Sequence, residues 1–96
     1  MSQPTVEVVD APEQSRYLAT VDGRPAGFAA YRLRGGRIVF THTEVDPAHE
    51  GKGVGSALAK GALDDVRRRG LPMVLVCPFM TAYVRRHPEY ADLIAP

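Results

Sequence analysis

The chain has 96 residues, of which 45% are hydrophobic and 24% are charged, and its net charge is +1. These values are ordinary for one small globular domain and argue against nucleic acid or an anionic membrane as a partner. The single cysteine excludes an internal disulfide, and the polar first residues include no apolar signal stretch, so we expect one cytoplasmic domain over residues 1–96.

The first half of the sequence predicts four short strands. Residues 5–10 alternate in polarity, with Val6 and Val8 on one face. The next strands are predicted over residues 16–21, 27–33 and 37–45. Asp22-Gly23 and Gly35-Gly36, which separate these strands, are hairpin turn signals. We therefore expect antiparallel strands joined by hairpins.

The second half changes to a helical period. Apolar or small residues recur at the spacing of a buried helix face, at Gly55, Leu58, Ala59, Ala62, Leu63 and Val66. Gly70 is expected to end this helix. Residues 73–76 are fully apolar and predict a buried strand. Pro78 can open a second helix through about Arg86, and residues 89–96 are expected to pack back on the sheet.

Residues 37–76 thus form a β-α-β unit, which predicts a parallel strand pair with a right-handed crossover. The predicted fold class is mixed α/β, with a mostly antiparallel sheet and one parallel crossover.

The stretch HEGKGVGSAL, residues 49–58, places glycines where the first helix must begin. A strand, a glycine-rich loop and a helix in this order are typical of a phosphate site, because a helix N-terminus offers unpaired N–H groups and positive potential. Lys52 adds a cation. The P-loop pattern fails because Gly53 follows Lys52, and the dinucleotide pattern fails because Ser56 replaces its last glycine. A loop that only turns remains the alternative.

EGKGVGSAL after a strand ending in HTEV resembles the acetyl-CoA-binding motif of the GNAT superfamily of N-acetyltransferases. The superfamily pattern is Gln/Arg-x-x-Gly-x-Gly/Ala. Gly53 and Gly55 stand at its glycine positions, and Glu50 stands where Gln or Arg is usual. With VCPF and RRHPEYADL, the motifs are similar to a small stand-alone branch of the superfamily, over nearly the whole chain from Arg16 onward.

The resemblance implies a minimal acyl-CoA N-acyltransferase fold with acetyl-CoA as the acetyl donor. The strand ending near Val45 and the strand over residues 73–76 should separate around the pantetheine arm, with free backbone groups at Val45. The pyrophosphate should bind at the loop and helix start, which comprise Gly51, Lys52, Gly53, Val54, Gly55 and Ser56. Few residues follow the fifth strand, so the acceptor side should be open.

Four residues are expected to carry chemistry. His42 and Glu44 lie on one face of the fourth strand, and either could take a proton from the amine. Cys77 is expected in or beside the active site, with acyl capture by its thiolate as a minority reading. In the superfamily a tyrosine on the second predicted helix can protonate the departing thiolate, and Tyr83 is the residue expected there. The histidines lack ligand spacing, and no metal site is predicted.

The predicted function is transfer of an acetyl group from acetyl-CoA to an amine by direct attack in a ternary complex. The acceptor could be a small amine, a peptide N-terminus or a protein lysine. A non-catalytic acyl-CoA binding or sensing module is the alternative, and an interaction domain whose loop binds another anion is a third hypothesis.

Overall fold

The structure, a computed structural model, describes residues 5–51 and 53–96. The strands are β1 (Val6–Ala11), β2 (Arg16–Val21), β3 (Arg24–Arg34), β4 (Arg37–Val45) and β5 (Met73–Leu75), and the helices are α1 (Val54–Arg69) and α2 (Pro78–Arg86). Short 3-10 helices span Pro12–Gln14, Pro47–His49 and Pro88–Leu93. Within the described ranges, neither α1 nor α2 is long and apolar enough to cross a membrane.

The strands form one sheet in the order β1-β2-β3-β4-β5. The first four are antiparallel, and β4 and β5 are parallel. This arrangement confirms the mixed α/β fold predicted from the change of hydrophobic period. The helix α1 lies between the two parallel strands in sequence, as the crossover requires.

Several predicted strand ends were wrong. β1 lies one residue later at both ends than predicted, and β3 ends one residue later. β3 begins at Arg24, before the predicted 27, because Val21 pairs with Arg24 directly across a two-residue turn. A register shift in this hairpin accommodates Pro25 within the strand. β5 ends at Leu75, one residue early, because the chain turns there toward α2.

The core lies between one face of the sheet and the two helices. The apolar stripe predicted for α1 is buried, with Leu58, Ala59, Ala62, Leu63 and Val66 all at 0% exposure. Gly70 ends α1 and donates its N–H to the carbonyl of Arg67. The C-terminal segment returns to the sheet as expected, since the N–H of Ala95 donates to the carbonyl of Met73 at 2.7 Å.

The opposite face of the sheet, called the open face below, carries the residues that alternate with the buried ones. It comprises Val9, Arg16, Leu18, Phe28, Arg32, Val39, His42, Glu44 and Val74. Both helices contribute to the core cluster on the other face. Val9 is 53% exposed as a consequence.

Hydrogen bonds hold the C-terminal half of α1 on the sheet. The Tyr17 hydroxyl donates to Asp65 at 2.7 Å, and Arg69 donates to Asp10 of β1 at 3.2 Å. Burial and the hydrogen bond to Asp65 raise the pKa of Tyr17 above its usual value. These contacts orient α1 so that its N-terminus lies beside the end of β4.

Packing of α1 on β1 should depend on Gly61. A Cβ added there would lie 2.8 Å from the Val8 Cβ, which is too close for any contact without backbone movement. Alanine gains about 1 kcal/mol of helix propensity over glycine, but overpacking costs about 1–3 kcal/mol. We expect Gly61→Ala to lower the free energy of unfolding, measured by urea titration.

Ser56→Ala, at an exposed position of the same helix, is the matched control and should not destabilise the protein. A Gly61→Ala variant more stable than the wild type would contradict the close contact between α1 and β1.

Candidate active site

The pairing between β4 and β5 stops in the middle of β4. Three residue pairs form, Ile38 with Met73, Val39 with Val74 and Phe40 with Leu75. The N–H groups of Val76 and Cys77 then both donate to the carbonyl of Phe40, each at 3.0 Å. Within the described part of the chain, residues 41–45 have no strand partner on that side. The separation of these strands expected from the sequence is therefore present.

A β-bulge decides which way the side chains of this free stretch point. Tyr31 pairs with Phe40 and Ala30 pairs with His42, so Thr41 is an extra residue in β4. An extra residue reverses the alternation of the strand beyond it. Thr43 and Val45 therefore face the helices, whereas His42 and Glu44 point to the open face.

The loop after β4 leads into α1 without a side-chain cap. The Asp46 carboxylate accepts a hydrogen bond from the N–H of Ala48 at 2.9 Å and shapes the first loop turn. Gly53 is the N-cap of α1, with φ of 75°, and no side chain caps the helix. Positive φ disfavours residues with a Cβ, so the conformation itself favours glycine there. The first N–H groups of α1 remain available to a ligand.

Gly55 has a different role from Gly53. A Cβ at Gly55 would lie 2.8 Å from the Phe79 ring and 3.5 Å from a methyl group of Val45. By contrast, no atom lies within 4 Å of the Cβ position at Gly53. Gly53 thus leaves open space at the helix start, whereas Gly55 allows α2 to approach α1 closely.

These elements surround a cavity of about 410 Å³, called the donor cavity below. Its lining comprises Thr43, Val45, His49, Glu50, Gly51, Gly53, Val54, Gly55, Ser56, Phe79 and Arg86. All residues of the predicted donor site that the structure describes line this cavity. Lys52 lies outside the described residues.

Several cavity residues were not identified from the sequence. Phe79 and Arg86 are seven residues apart on α2, a spacing that places them on one face of a helix. Arg86 brings a cation, and among the described residues no ion pair engages it. Among the described residues, the Nδ1 atom of His49 has no hydrogen-bond partner, although it is buried beside the cavity. A ligand acceptor group is a natural partner for such a nitrogen.

The structure brings Cys77 close to Thr43. Cys77 is the N-cap of α2 and is 1% exposed. Its Sγ lies 3.2 Å from the Thr43 Oγ1, so the thiol spans the gap where the strands have separated. The Cys77 carbonyl accepts hydrogen bonds from both the N–H and the hydroxyl of Thr81.

The structure also brings His42 and Glu44 together. The His42 Nε2 lies 3.3 Å from a Glu44 carboxylate oxygen, and both side chains are about 60% exposed. They share one face of β4, as the sequence predicted. The backbone between them belongs to the free edge of β4, so the pair and the donor cavity lie on opposite sides of the same stretch of strand.

Tyr83 is buried on α2 and contacts other aromatic residues. Its ring stacks on His87 with 4.1 Å between ring centroids, and Tyr90 lies 6.2 Å away. Burial raises the pKa of Tyr83, and the positive charge of Lys60 opposes this increase. The described residues contain no cluster of three or more His, Cys, Asp or Glu that could hold a metal ion.

The sequence that forms this site is matched by the model of a known family. The family model described as GCN5-related N-acetyl-transferase matches residues 16–93. The chain belongs to this family. Acetyl-CoA is the acyl donor that GNAT domains use.

Individual relatives match well over half of the chain. Protein NATD1 of Mus musculus and of Homo sapiens are each 39% identical to the chain over 69 residues, which is 69% of this chain. The chain spans only 63% and 61% of those two proteins. A streptothricin acetyltransferase of Streptomyces lavendulae is 40% identical over 63 residues, or 64% of this chain and 33% of that protein.

The GNAT donor cavity yields a test with matched variants. Gly53→Asp places a carboxylate at the open N-terminus of α1, where an anionic ligand would meet it. Gly53→Asn is nearly the same size, tolerates positive φ comparably and adds no charge. For wild type, acetyl-CoA at about 100 times its dissociation constant should add about 2.7 kcal/mol of stability. The corresponding rise in melting temperature is on the order of ten degrees.

We expect Gly53→Asp to abolish this rise and Gly53→Asn to retain much of it, as measured by thermal unfolding with and without acetyl-CoA. Both variants should fold without ligand, because the position is exposed with open space around it. An equal rise in the two variants would mean that the pyrophosphate binds elsewhere.

Proposed function

We propose that the protein transfers an acetyl group from acetyl-CoA to an amine by direct attack in a ternary complex. The proposal rests on two groups of free backbone atoms that open into the same cavity. The uncapped N-terminus of α1 and the unpaired edge of β4 both face the donor cavity. One surface suits a pyrophosphate and the other suits an amide-containing chain.

The helix start and α2 would hold the phosphate end of the donor. The N–H groups of Val54, Gly55 and Ser56 belong to the first turn of α1, where no carbonyl of the helix can accept from them. Arg86 would add a charged donor from the opposite wall of the cavity. Lys52 remains part of the proposed phosphate site.

The edge of β4 would hold the pantetheine amides. The N–H of Asp46 donates to the carbonyl of Ala26 at 2.7 Å, on the side of β3. Because backbone groups alternate along a strand, the N–H and carbonyl of Val45 point the other way, toward the gap. Hydrogen bonds there would align the thioester with Thr43 and Cys77.

The chemistry requires one bond to form and one to break. The neutral amine nitrogen attacks the thioester carbonyl, a C–N bond forms, the nitrogen releases its extra proton to solvent, and the C–S bond breaks to release the CoA thiolate. Before attack, an ammonium acceptor must lose a proton, and His42 or Glu44 would receive it directly or through water. Tyr83 would protonate the thiolate, although its raised pKa makes it a weaker acid than an ordinary tyrosine.

The His42–Glu44 pair favours an enzyme over a non-catalytic acyl-CoA binding module. A binding module needs only the donor cavity. The imidazole and the carboxylate, which lie 3.3 Å apart on one face of β4, supply a proton acceptor as well. Release of free CoA that depends on an added amine would distinguish the two functions.

The role of Cys77 separates direct transfer from covalent catalysis. A buried thiol held against Thr43 suits a residue that shapes the thioester end of the cavity. Transfer to Cys77 would also exchange one thioester for another of nearly equal energy. We expect Cys77→Ala to keep activity within about tenfold of wild type, or about 1.4 kcal/mol of barrier, measured as CoA release at saturating amine.

Intact-mass measurement of wild type with acetyl-CoA alone should show no added acetyl group. Stoichiometric acetyl-Cys77 that passes its acetyl group to an added amine would overturn the direct route. Thr81→Ala provides a control, because it changes a contact of the Cys77 backbone and leaves the thiol in place.

Tyr83→Phe removes the proposed acid and keeps the aromatic stack on His87. If Tyr83 protonates the leaving thiolate, turnover should fall by roughly tenfold to a hundredfold with little change in acetyl-CoA affinity. Steady-state kinetics measures turnover, and thermal stabilisation measures affinity. Tyr90→Phe is the matched control, since the Tyr90 hydroxyl donates to Asp64 and has no proposed role in the transfer. Unchanged turnover in Tyr83→Phe would exclude the acid role.

A further inference from the structure

The open face has a concavity of its own beside the His42–Glu44 pair. Its volume is about 510 Å³, and its lining includes Arg16, Leu18, Phe28, Glu44 and Asp46. It is separate from the donor cavity, although Val45 lines both. We call it the acceptor concavity, because it adjoins the groups that would deprotonate an amine.

Arg16 is held in this concavity with an unused hydrogen-bond donor. Its guanidinium carbon lies 4.1 Å from the centroid of the Phe28 ring. Its Nε is screened from solvent and has no hydrogen-bond partner in the part of the chain that the structure describes. Among residues 5–51 and 53–96, no carboxylate forms an ion pair with it. A buried cationic N–H without an acceptor is costly, so an anionic ligand group is the natural partner.

Strand register places Arg16 and His42 at the same level of the sheet. Ala30 of β3 pairs with Arg16 on one side and with His42 on the other. Neighbouring strands are about 4.8 Å apart, so the two backbones are about 10 Å apart. Because the Arg16 guanidinium lies over Phe28 of β3, it covers part of that distance. About half of the distance between the Arg16 and His42 backbones therefore remains for a ligand that binds Arg16 and reaches the His42–Glu44 pair.

Phe28 connects the two ends of the concavity. It pairs with Glu44 on β4 and with Leu18 on β2, and its ring centroid lies 6.0 Å from that of His42. An aromatic ring with an apolar neighbour suits a short methylene chain. Positive charge at one end, an apolar floor and a carboxylate at the other end form a complementary pattern for a zwitterion.

We propose that the acceptor is a small amino acid whose reacting amine is separated from its carboxylate by a short methylene chain. Its carboxylate binds Arg16, its methylenes lie on Phe28, and its amine meets His42 and Glu44. This inference rests on the proposed acetyl transfer, whose acceptor it specifies. A lysine-rich protein segment fits less well, because it would leave Arg16 unpaired and add like charge beside it.

The first experiment compares 4-aminobutyrate with its uncharged analogue 4-aminobutyramide as acceptors. Because a hydrogen bond to a charged group is strong, we expect the value of kcat/KM to be about tenfold to a hundredfold higher for 4-aminobutyrate than for 4-aminobutyramide. Arg16→Gln should bring the ratio of the two values close to one, and Arg16→Lys, which keeps the charge and lacks Nε, should give an intermediate ratio.

Arg32→Gln is the matched control. Arg32 is an exposed arginine of β3 that lies on the open face but outside the acceptor concavity. Its replacement should leave the ratio of the two kcat/KM values unchanged. Equal rates with both acceptors in wild type would overturn the inference, as would a lysine-rich peptide that reacts better than 4-aminobutyrate.

A second readout does not depend on turnover. The Nε–H of Arg16 gives its own ¹H–¹⁵N resonance, assigned by its absence in Arg16→Lys. With CoA present, 4-aminobutyrate should shift this resonance and 4-aminobutyramide should not. No shift would overturn the inference whatever the kinetics show. A shift without turnover of any amine would refute the proposed acetyl transfer and leave the zwitterion site standing.

Discussion

The short pairing between β4 and β5 is the constraint on which the rest of the site depends. The N–H groups of Val76 and Cys77 converge on the carbonyl of Phe40, and Pro78, which has no N–H to donate, then begins α2. The chain therefore leaves the sheet while β4 continues for another five residues, 41–45. This departure frees the edge of β4, creates the gap spanned by Thr43 and Cys77, and brings Phe79 and Arg86 over the loop.

The bulge at Thr41 gives that free edge two chemically different sides. Without the extra residue, His42 would face the helices and Thr43 would face the open side. With it, Thr43 and Val45 line the donor cavity, and His42 and Glu44 adjoin the acceptor concavity. Donor and acceptor can then meet across the thickness of one strand. A single register shift thus separates the two proposed substrates.

The N-terminus of α1 is not stabilised by a capping side chain, and packing of the rest of the helix supplies the stability instead. A capping side chain contributes about 1 kcal/mol, and Gly53 provides none. The buried stripe of α1, together with the bond from Tyr17 to Asp65, holds the helix against the sheet from its middle and C-terminal half. The open helix start can therefore remain available to a ligand without loosening the domain.

Local patterns in the sequence predicted the elements and a glycine-rich loop at the start of α1. Hairpin turns, the period of α1 and the order strand–glycine loop–helix act over neighbouring residues, so they predicted the mixed sheet and the residues from Gly51 to Ser56. The start of β3 and the end of β5 were wrong, because a bulge and a shared carbonyl are set by pairing between strands. Only the tertiary structure decided that Phe79 and Arg86 complete the donor cavity, that Cys77 meets Thr43, and that Arg16 lies on Phe28. These contacts join residues far apart in the chain. A periodic pattern within one segment does not predict them, because they depend on how the strands and helices pack together.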